Sequence, residues 1–199
     1  MRYHLLPFIL ALAFAGHTFA QHRVILDTDP GYDPDDVGCM AMLHSLANMG
    51  KCEILAMVNS TDMKHSPVCI SAINQFYGRK EIPVGTYKGY QTIRDSPEDV
   101  YTWHIAKKYP ATLKSWDDAP DAVALYREIL AGAEDTSITI VITGTMHNFY
   151  DLLRSSPCFF SDRDGIGLVR KKVKLVATMG GNFIDGRGYD RTNWGGADS

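Results

Sequence analysis

The stretch Asp27-Thr28-Asp29-Pro30-Gly31-Tyr32-Asp33-Pro34-Asp35-Asp36 follows directly on the apolar run Val24-Ile25-Leu26, and it crowds five carboxylates into ten positions at the end of a predicted buried strand. Two carboxylates about 4 Å apart repel by about 4 kcal/mol at an effective dielectric near 20. A cluster of this density at a sheet edge calls for protons or a cation. Pro30-Gly31 supplies a bend, with Gly31 free to adopt a positive φ and Pro30 and Pro34 stiffening the loop. Asp35 and Asp36 open a predicted helix over 36–49, whose N-terminal dipole favours negative charge. Capping of this kind accounts for one or two of the acids, not five. Hard oxygen donors without thiolate or paired imidazole point to Ca2+ or Mg2+, and carboxylates joined by a main-chain carbonyl and water suit Ca2+ better.

Two other motifs begin in a related way. An EF-hand loop needs a glutamate at its twelfth position, but here the cluster follows a strand and position 38 is Gly38. Phosphatases of the haloacid-dehalogenase type start strand-DxD and continue with Gly-Thr, where this chain has Pro30-Gly31 and further acids.

Working outward, apolar runs of strand length alternate with helical segments, the signature of an α/β fold with an open, mostly parallel sheet and helices on both faces. Strands are expected at 24–26, 53–58, 84–86, 137–142 and 173–178. Helices are expected at 36–49, 67–77, 99–108, 121–131 and 146–154, two of them signalled by Ser66-Pro67 and Pro120-Asp121. The segments 87–98, 109–120 and 182–193 read as irregular. On this map Asp27 and Asp29, Asn59, Thr143-Gly144 and Gly180-Gly181-Asn182 all fall at carboxyl ends of strands. That is the edge where open α/β sheets bind ligands, so these groups are expected to converge.

The 199 residues, 45% of them hydrophobic, suffice for one sizeable core. With 20 Lys+Arg against 23 Asp+Glu there is no basic excess. The run Arg170-Lys171-Lys172 with Lys174 reads as a solvated strand entrance, so a nucleic-acid polymer is not an expected partner. Residues 1–20, MRYHLLPFILALAFAGHTFA, combine Arg2, an apolar stretch over 5–15 and small residues ending at Ala20. This is the pattern of a secretory signal peptide, too short for a comfortable membrane span. The expectation is a signal peptide over 1–20, an α/β domain over 21–199, a secreted or periplasmic location and no membrane association after cleavage. Cys39, Cys52, Cys69 and Cys158 allow three disulfide pairings, and free, buried thiols are an equal alternative.

The stretch VILDTDPGYDPDDVGCMAML resembles the N-terminal signature of the inosine-uridine-preferring nucleoside hydrolases: a strand leading into Asp-x-Asp-Pro-Gly, then an Asp-Asp pair and a helix. The resemblance extends through Asn59, ITIVITGTMHN and VKLVATMGGN, and so over nearly all of residues 21–199. It implies a nucleoside hydrolase-like, Rossmann-like fold, a bound Ca2+, and hydrolysis of the N-glycosidic bond of a ribonucleoside or other small N-riboside. Carried over, Asp29 and Asp36 ligate the ion through their side chains and Thr143 through its carbonyl. Asp35 is the general base for the metal-bound water, with Asp27 in support. Asn59, Asn182 and Asn193 contact the sugar. Such a water, acidified by the ion and deprotonated by a neighbouring carboxylate, fits cleavage through an oxocarbenium-like state.

This chain departs from the pattern in three places. Tyr32-Asp33-Pro34 intervenes before the Asp-Asp pair, so Asp33 competes with Asp35 and Asp36 for the ligand and base roles. RTNWGGADS stands where the family has a Glu-aromatic-Asn triplet. The family's later His-Asp pair has no counterpart before Ser199, so the chain is expected to be C-terminally truncated, and a catalytically incomplete protein that binds metal and a ribosyl ligand is the alternative function. His147 in TGTMHN stands at a predicted helix start near the site and is read either as a proton donor to a departing base or as an ordinary half-exposed histidine. Trp194 and Tyr189 could stack on a base or pack within the domain. The sequence leaves the oligomeric state open, a homo-oligomer included.

Overall fold

A computed structural model describes residues 21–31, 34–89 and 100–180. Among them, five strands form one all-parallel sheet: β1 (His22–Thr28), β2 (Cys52–Asn59), β3 (Val84–Thr86), β4 (Ile138–Ile142) and β5 (Val173–Thr178), in the order β3-β2-β1-β4-β5. Between them run α1 (Asp35–Asn48), α2 (Ser66–Phe76), α3 (Tyr101–Lys108), α4 (Ala122–Gly132), α5 (His147–Arg154) and α6 (Gly165–Lys172). The expected strands are all present, and α1 to α5 lie within two residues of their expected bounds.

Helix α6 was not expected. Its sequence, GIGLVRKK, carries two glycines and little apolar periodicity, but Asp164 caps it by accepting from the Gly167 N–H at 2.7 Å. Arg170, Lys171 and Lys172 therefore form the last turn of a helix rather than a strand entrance, where positive charge complements the helix dipole. Lys171 and Lys172 pair with Asp135 at 3.7 and 2.9 Å. Helix α4 is capped as its sequence suggests, by Asp121 accepting from the Ala124 N–H at 2.9 Å.

Each sheet face packs under helices. On one side Val24, Leu26, Ile54, Met57 and Val84 meet Met40 and Leu43 of α1 and Ile70 of α2. On the other, Ile25, Ala56, Val58, Ile138, Ile140 and Ile142 meet Leu125 and Leu130 of α4, Leu152 of α5 and Leu168 of α6. Each fully buried large aliphatic side chain contributes about 1.5–3 kcal/mol. Val24 pairs with Ile54 and Ile25 with Ala56, which leaves Leu55 as an extra residue in β2. That irregularity puts Ile54 and Met57 on one face, three positions apart, where strict alternation would separate them.

The four cysteines are free thiols: Cys52 and Cys69 buried, Cys39 half-buried, Cys158 exposed. No helix among the described residues is long and apolar enough to cross a membrane. The proposed signal segment, residues 1–20, lies outside the described residues.

Candidate functional site

The chain moves outward from β1 through β2 to β3, then returns across β1 to lay β4 on its other side. The reversal lies between β1 and β4, and at such a point the strand ends open a crevice. There the main chain is tightly joined. Thr143 N–H donates to the Asp27 carbonyl at 2.8 Å, and Ser60 N–H to the Thr28 carbonyl at 2.9 Å. A Cβ on Gly144 would lie 2.5 Å from Ser60 Oγ, 2.8 Å from Asp29 N and 2.8 Å from the Thr28 carbonyl carbon. Only glycine permits this approach of β4 to β1.

Asp36, in the first turn of α1, is 2% exposed, and its Oδ1 accepts from Thr28 Oγ1 at 2.5 Å and Thr143 Oγ1 at 2.8 Å. One carboxylate thus links the start of α1 to the ends of β1 and β4. Asp35 beside it is exposed. The residue preceding the helix, Pro34, offers no side-chain cap, so the two acids act on the helix dipole from within its first turn. Asp29 is half-buried just beyond β1, and Thr143 is half-buried just beyond β4. Asp33, Asn182 and Asn193 lie outside the described residues.

Asp27 is fully buried between α4 and α5. Its Oδ2 accepts from Tyr126 OH at 2.9 Å and its Oδ1 from Asn148 Nδ2 at 3.0 Å. Burial pushes its carboxyl up to about 7, against the two hydrogen bonds, which favour the ionised form. Asn148 also donates to the Asn59 carbonyl at 3.1 Å. The Asn59 amide is engaged close by, donating to the Thr61 carbonyl at 2.6 Å and Thr86 Oγ1 at 2.9 Å and accepting from Thr61 Oγ1 at 3.2 Å. It stands at the crevice edge with its side chain bracing the loop after β2 against the end of β3.

The acidic loop is pinned by residues from two helices. Ser66, at the start of α2, donates to the Pro30 carbonyl at 2.6 Å, and Tyr101, at the start of α3, accepts from the Gly31 N–H at 2.9 Å. Ser66 therefore holds the loop rather than capping its own helix. Gly31 does not use the positive φ open to a glycine. A Cβ there would meet the Met63 sulfur at 2.7 Å, at the flexible end of that side chain.

His147, the first residue of α5, places Nδ1 2.9 Å from Thr145 Oγ1, while that hydroxyl donates to the Ser60 carbonyl at 3.0 Å. The hydroxyl proton is committed, so the imidazole donates from Nδ1 and carries its lone pair on Nε2. Burial holds its pKa below the usual value, opposed by the Asp151 and Asp62 carboxylates. At neutral pH the ring is thus an acceptor, and donating a proton to a leaving group requires it to charge first. Tyr87 leans against it at 5.5 Å between ring centroids.

The donor chemistry around Asp36 fits a hard cation. Carboxylate and hydroxyl oxygens meet there, the α1 N-terminus offsets only part of the negative charge, and among the described residues no lysine, arginine or histidine pairs with Asp35 or Asp36. The described residues alone bring no three Asp, Glu, His or Cys side chains into one metal-holding group. An apolar groove of about 480 Å3 between α1, α2 and α3, lined by Val37, Ala41, Ile73, Phe76, Ile105 and Tyr109, includes none of the aspartates.

Sequence reasoning passed over Thr28, Tyr126 and Tyr101, and took Ser66 only as part of a helix-start signal. Thr28 sits inside the quoted motif, and its place between two acids was a signal that could have been read. Tyr126 lies in an ordinary amphipathic helix, and nothing local marks its hydroxyl as Asp27's partner.

No protein-family model matches the chain, and no curated protein matches it. Solved structures do. The type III effector protein XopQ complexed with adenosine diphosphate ribose is similar with a TM-score of 0.63 at 20% identity, over 87% of this chain and 50% of that one. A plant nucleoside hydrolase gives 0.53 at 21% identity, over 81% and 48%. A purine-preferring ribonucleoside hydrolase from Gardnerella vaginalis gives 0.54 at 17%, over 80% and 48%. This chain spans about half the length of the solved structures it matches. Its parallel sheet and flanking helices have the nucleoside hydrolase-like fold.

Proposed function

We propose that this chain is an exported protein that hydrolyses the N-glycosidic bond of ribonucleosides, with Ca2+ at the β1–β4 crevice. The observation that carries this reading is the buried Asp36 carboxylate, tied by Thr28 and Thr143 at the point where strand order reverses. Asp29 and Asp36 would hold the ion with the Thr143 carbonyl, and Asp33 is a further candidate ligand. When bound, the ion supplies an oriented, acidified water. Asp35, exposed beside Asp36, accepts the proton as the glycosidic bond breaks, and Asp27 keeps β1 in place beneath the loop. Asn59, Asn182 and Asn193 are the proposed sugar contacts.

The proposed reaction is tested by incubating the chain with inosine and with uridine, with and without a chelator, and measuring released ribose. Chelator-sensitive release is expected; Asp35→Asn abolishes it while keeping calcium uptake, and Asp29→Asn loses both. Damage from Asp33→Asn with a harmless Asp35→Asn would reassign the base. A second reading, a protein that binds a ribosyl ligand without turnover, is suggested by a solved structure of similar fold that was determined with a ribosyl ligand. XopQ, complexed with adenosine diphosphate ribose, makes that compound the first ligand to try. Saturable binding of it with no ribose release from either nucleoside would establish this reading over the first.

A further inference from the structure

Far from the aspartate edge, the loop between α5 and α6 carries Cys158. The residue is exposed, and Arg127 Nε of α4 donates to its sulfur at 2.9 Å. Arg127 is itself 3% exposed and has no carboxylate partner among the described residues. Its other donors go to neutral oxygens: Ser155 Oγ at 2.7 Å, the Arg163 carbonyl at 2.7 Å and the Ser161 carbonyl at 3.3 Å. A buried guanidinium without a counter-anion is costly, and of its hydrogen-bond partners among the described residues only the Cys158 thiol can become an anion. The loop folds back on itself, with Cys158 and Ser161 exchanging main-chain hydrogen bonds at 2.9 and 3.0 Å. This turns the Phe160 and Ser161 N–H groups toward the sulfur.

We propose that Cys158 is a reactive thiolate and a site of mixed-disulfide formation with low-molecular-weight disulfides. The Cys158 thiolate attacks one sulfur of the disulfide, the S–S bond breaks, a new S–S bond joins Cys158 to that sulfur, and the second sulfur leaves as a thiolate that takes a proton from water. No other oxidant is needed. The Arg127 hydrogen bond holds the Cys158 thiol below its usual range, aided by the two main-chain donors. The other three thiols shift the opposite way through burial, Cys69 up to about 12. They serve as controls within the same molecule.

The test is the pH profile of iodoacetamide alkylation at each cysteine, read by peptide mass spectrometry on the folded full chain and again in urea, followed by exposure of the folded chain to oxidised glutathione at pH 7. The expected result is a Cys158 midpoint at lower pH in the folded chain than in the unfolded one, with glutathione added to Cys158 and none to Cys52 or Cys69. Exposure alone would speed alkylation without moving the midpoint. Arg127→Lys, if it folds, moves the midpoint back up; the folded-against-unfolded comparison stands without it. A folded midpoint at or above the unfolded one, or the absence of a glutathione adduct on Cys158, overturns the proposal.

Discussion

Replacing Tyr126 by phenylalanine deletes one oxygen and leaves a carboxyl oxygen of Asp27, 0% exposed, without the donor that stands 2.9 Å away. With its carboxyl raised to about 7, Asp27 in the folded chain is neutral at about pH 5.5 and ionised at about pH 8.5. A hydrogen bond to a charged group is worth about 1.5–3 kcal/mol and one to a neutral group about 0.5–1.5 kcal/mol. Tyr126→Phe should therefore cost about 1 kcal/mol at the lower pH and about 1.5–3 kcal/mol at the higher, a roughly ten- to hundredfold drop in the folding equilibrium constant. The sign for the parent chain follows from proton linkage. The folded carboxyl keeps its proton up to about 7 while the unfolded one releases it near 3.8, so the stability carried by the protonated form is complete below 3.8 and is lost as pH rises through 7. Losing the tyrosine donor raises the folded pKa further, so the decline extends to higher pH. Urea unfolding followed by circular dichroism, with chelator present, measures both variants at both pH values. An equal loss at the two pH values, or none at the higher, would refute the assignment of Tyr126 as donor to a titrating Asp27.

Gly144→Ala should cost about 1–3 kcal/mol, because two of the three atoms its Cβ would strike belong to the main chain of β1 and cannot swing aside; differential scanning calorimetry should show a clear fall in melting temperature. Leu152→Ala, at a site 0% exposed, should cost about 2–5 kcal/mol by chemical denaturation. His44 is buried, stacked on Tyr77 and bonded through Nε2 to Asn74 Oδ1 at 3.0 Å, and burial holds its pKa below 6.5. The unfolded chain binds a proton there first as pH falls below 6.5, so stability present above that value is lost on acidification. His44→Phe should flatten that acid limb in urea titrations between pH 7.5 and 5, while lowering stability at pH 7.5 because Asn74 loses its partner.

The fold was legible because each strand carries an apolar run and each of α1 to α5 an apolar stripe or a starting signal. Helix α6 escaped because its stability comes from the Asp164 cap and from packing on its neighbours rather than from sequence periodicity. At the site, Asp27, Asp29, Asn59 and Thr143 could be placed at one edge from strand ends alone. What the sequence could not convey were contacts across long separations, such as Tyr126 on Asp27 or Tyr101 on Gly31, since neither tyrosine sits in a distinctive local pattern. Ser66-Pro67 rightly marked the start of α2, but nothing in the sequence told that the Ser66 hydroxyl also holds the acidic loop through the Pro30 carbonyl.

β5 is paired along one side only among the described residues, and Lys174, Leu175, Ala177 and Thr178 are exposed, whereas β1 is locked between β2 and β4. The sheet is therefore graded in its opening free energy. Deuterium should enter the β5 amides through local fraying and the β1 amides only on global unfolding, which exchange mass spectrometry reads strand by strand. The crevice borrows its rigidity from the slowest-exchanging strand, and the outer border of the sheet can loosen without disturbing it.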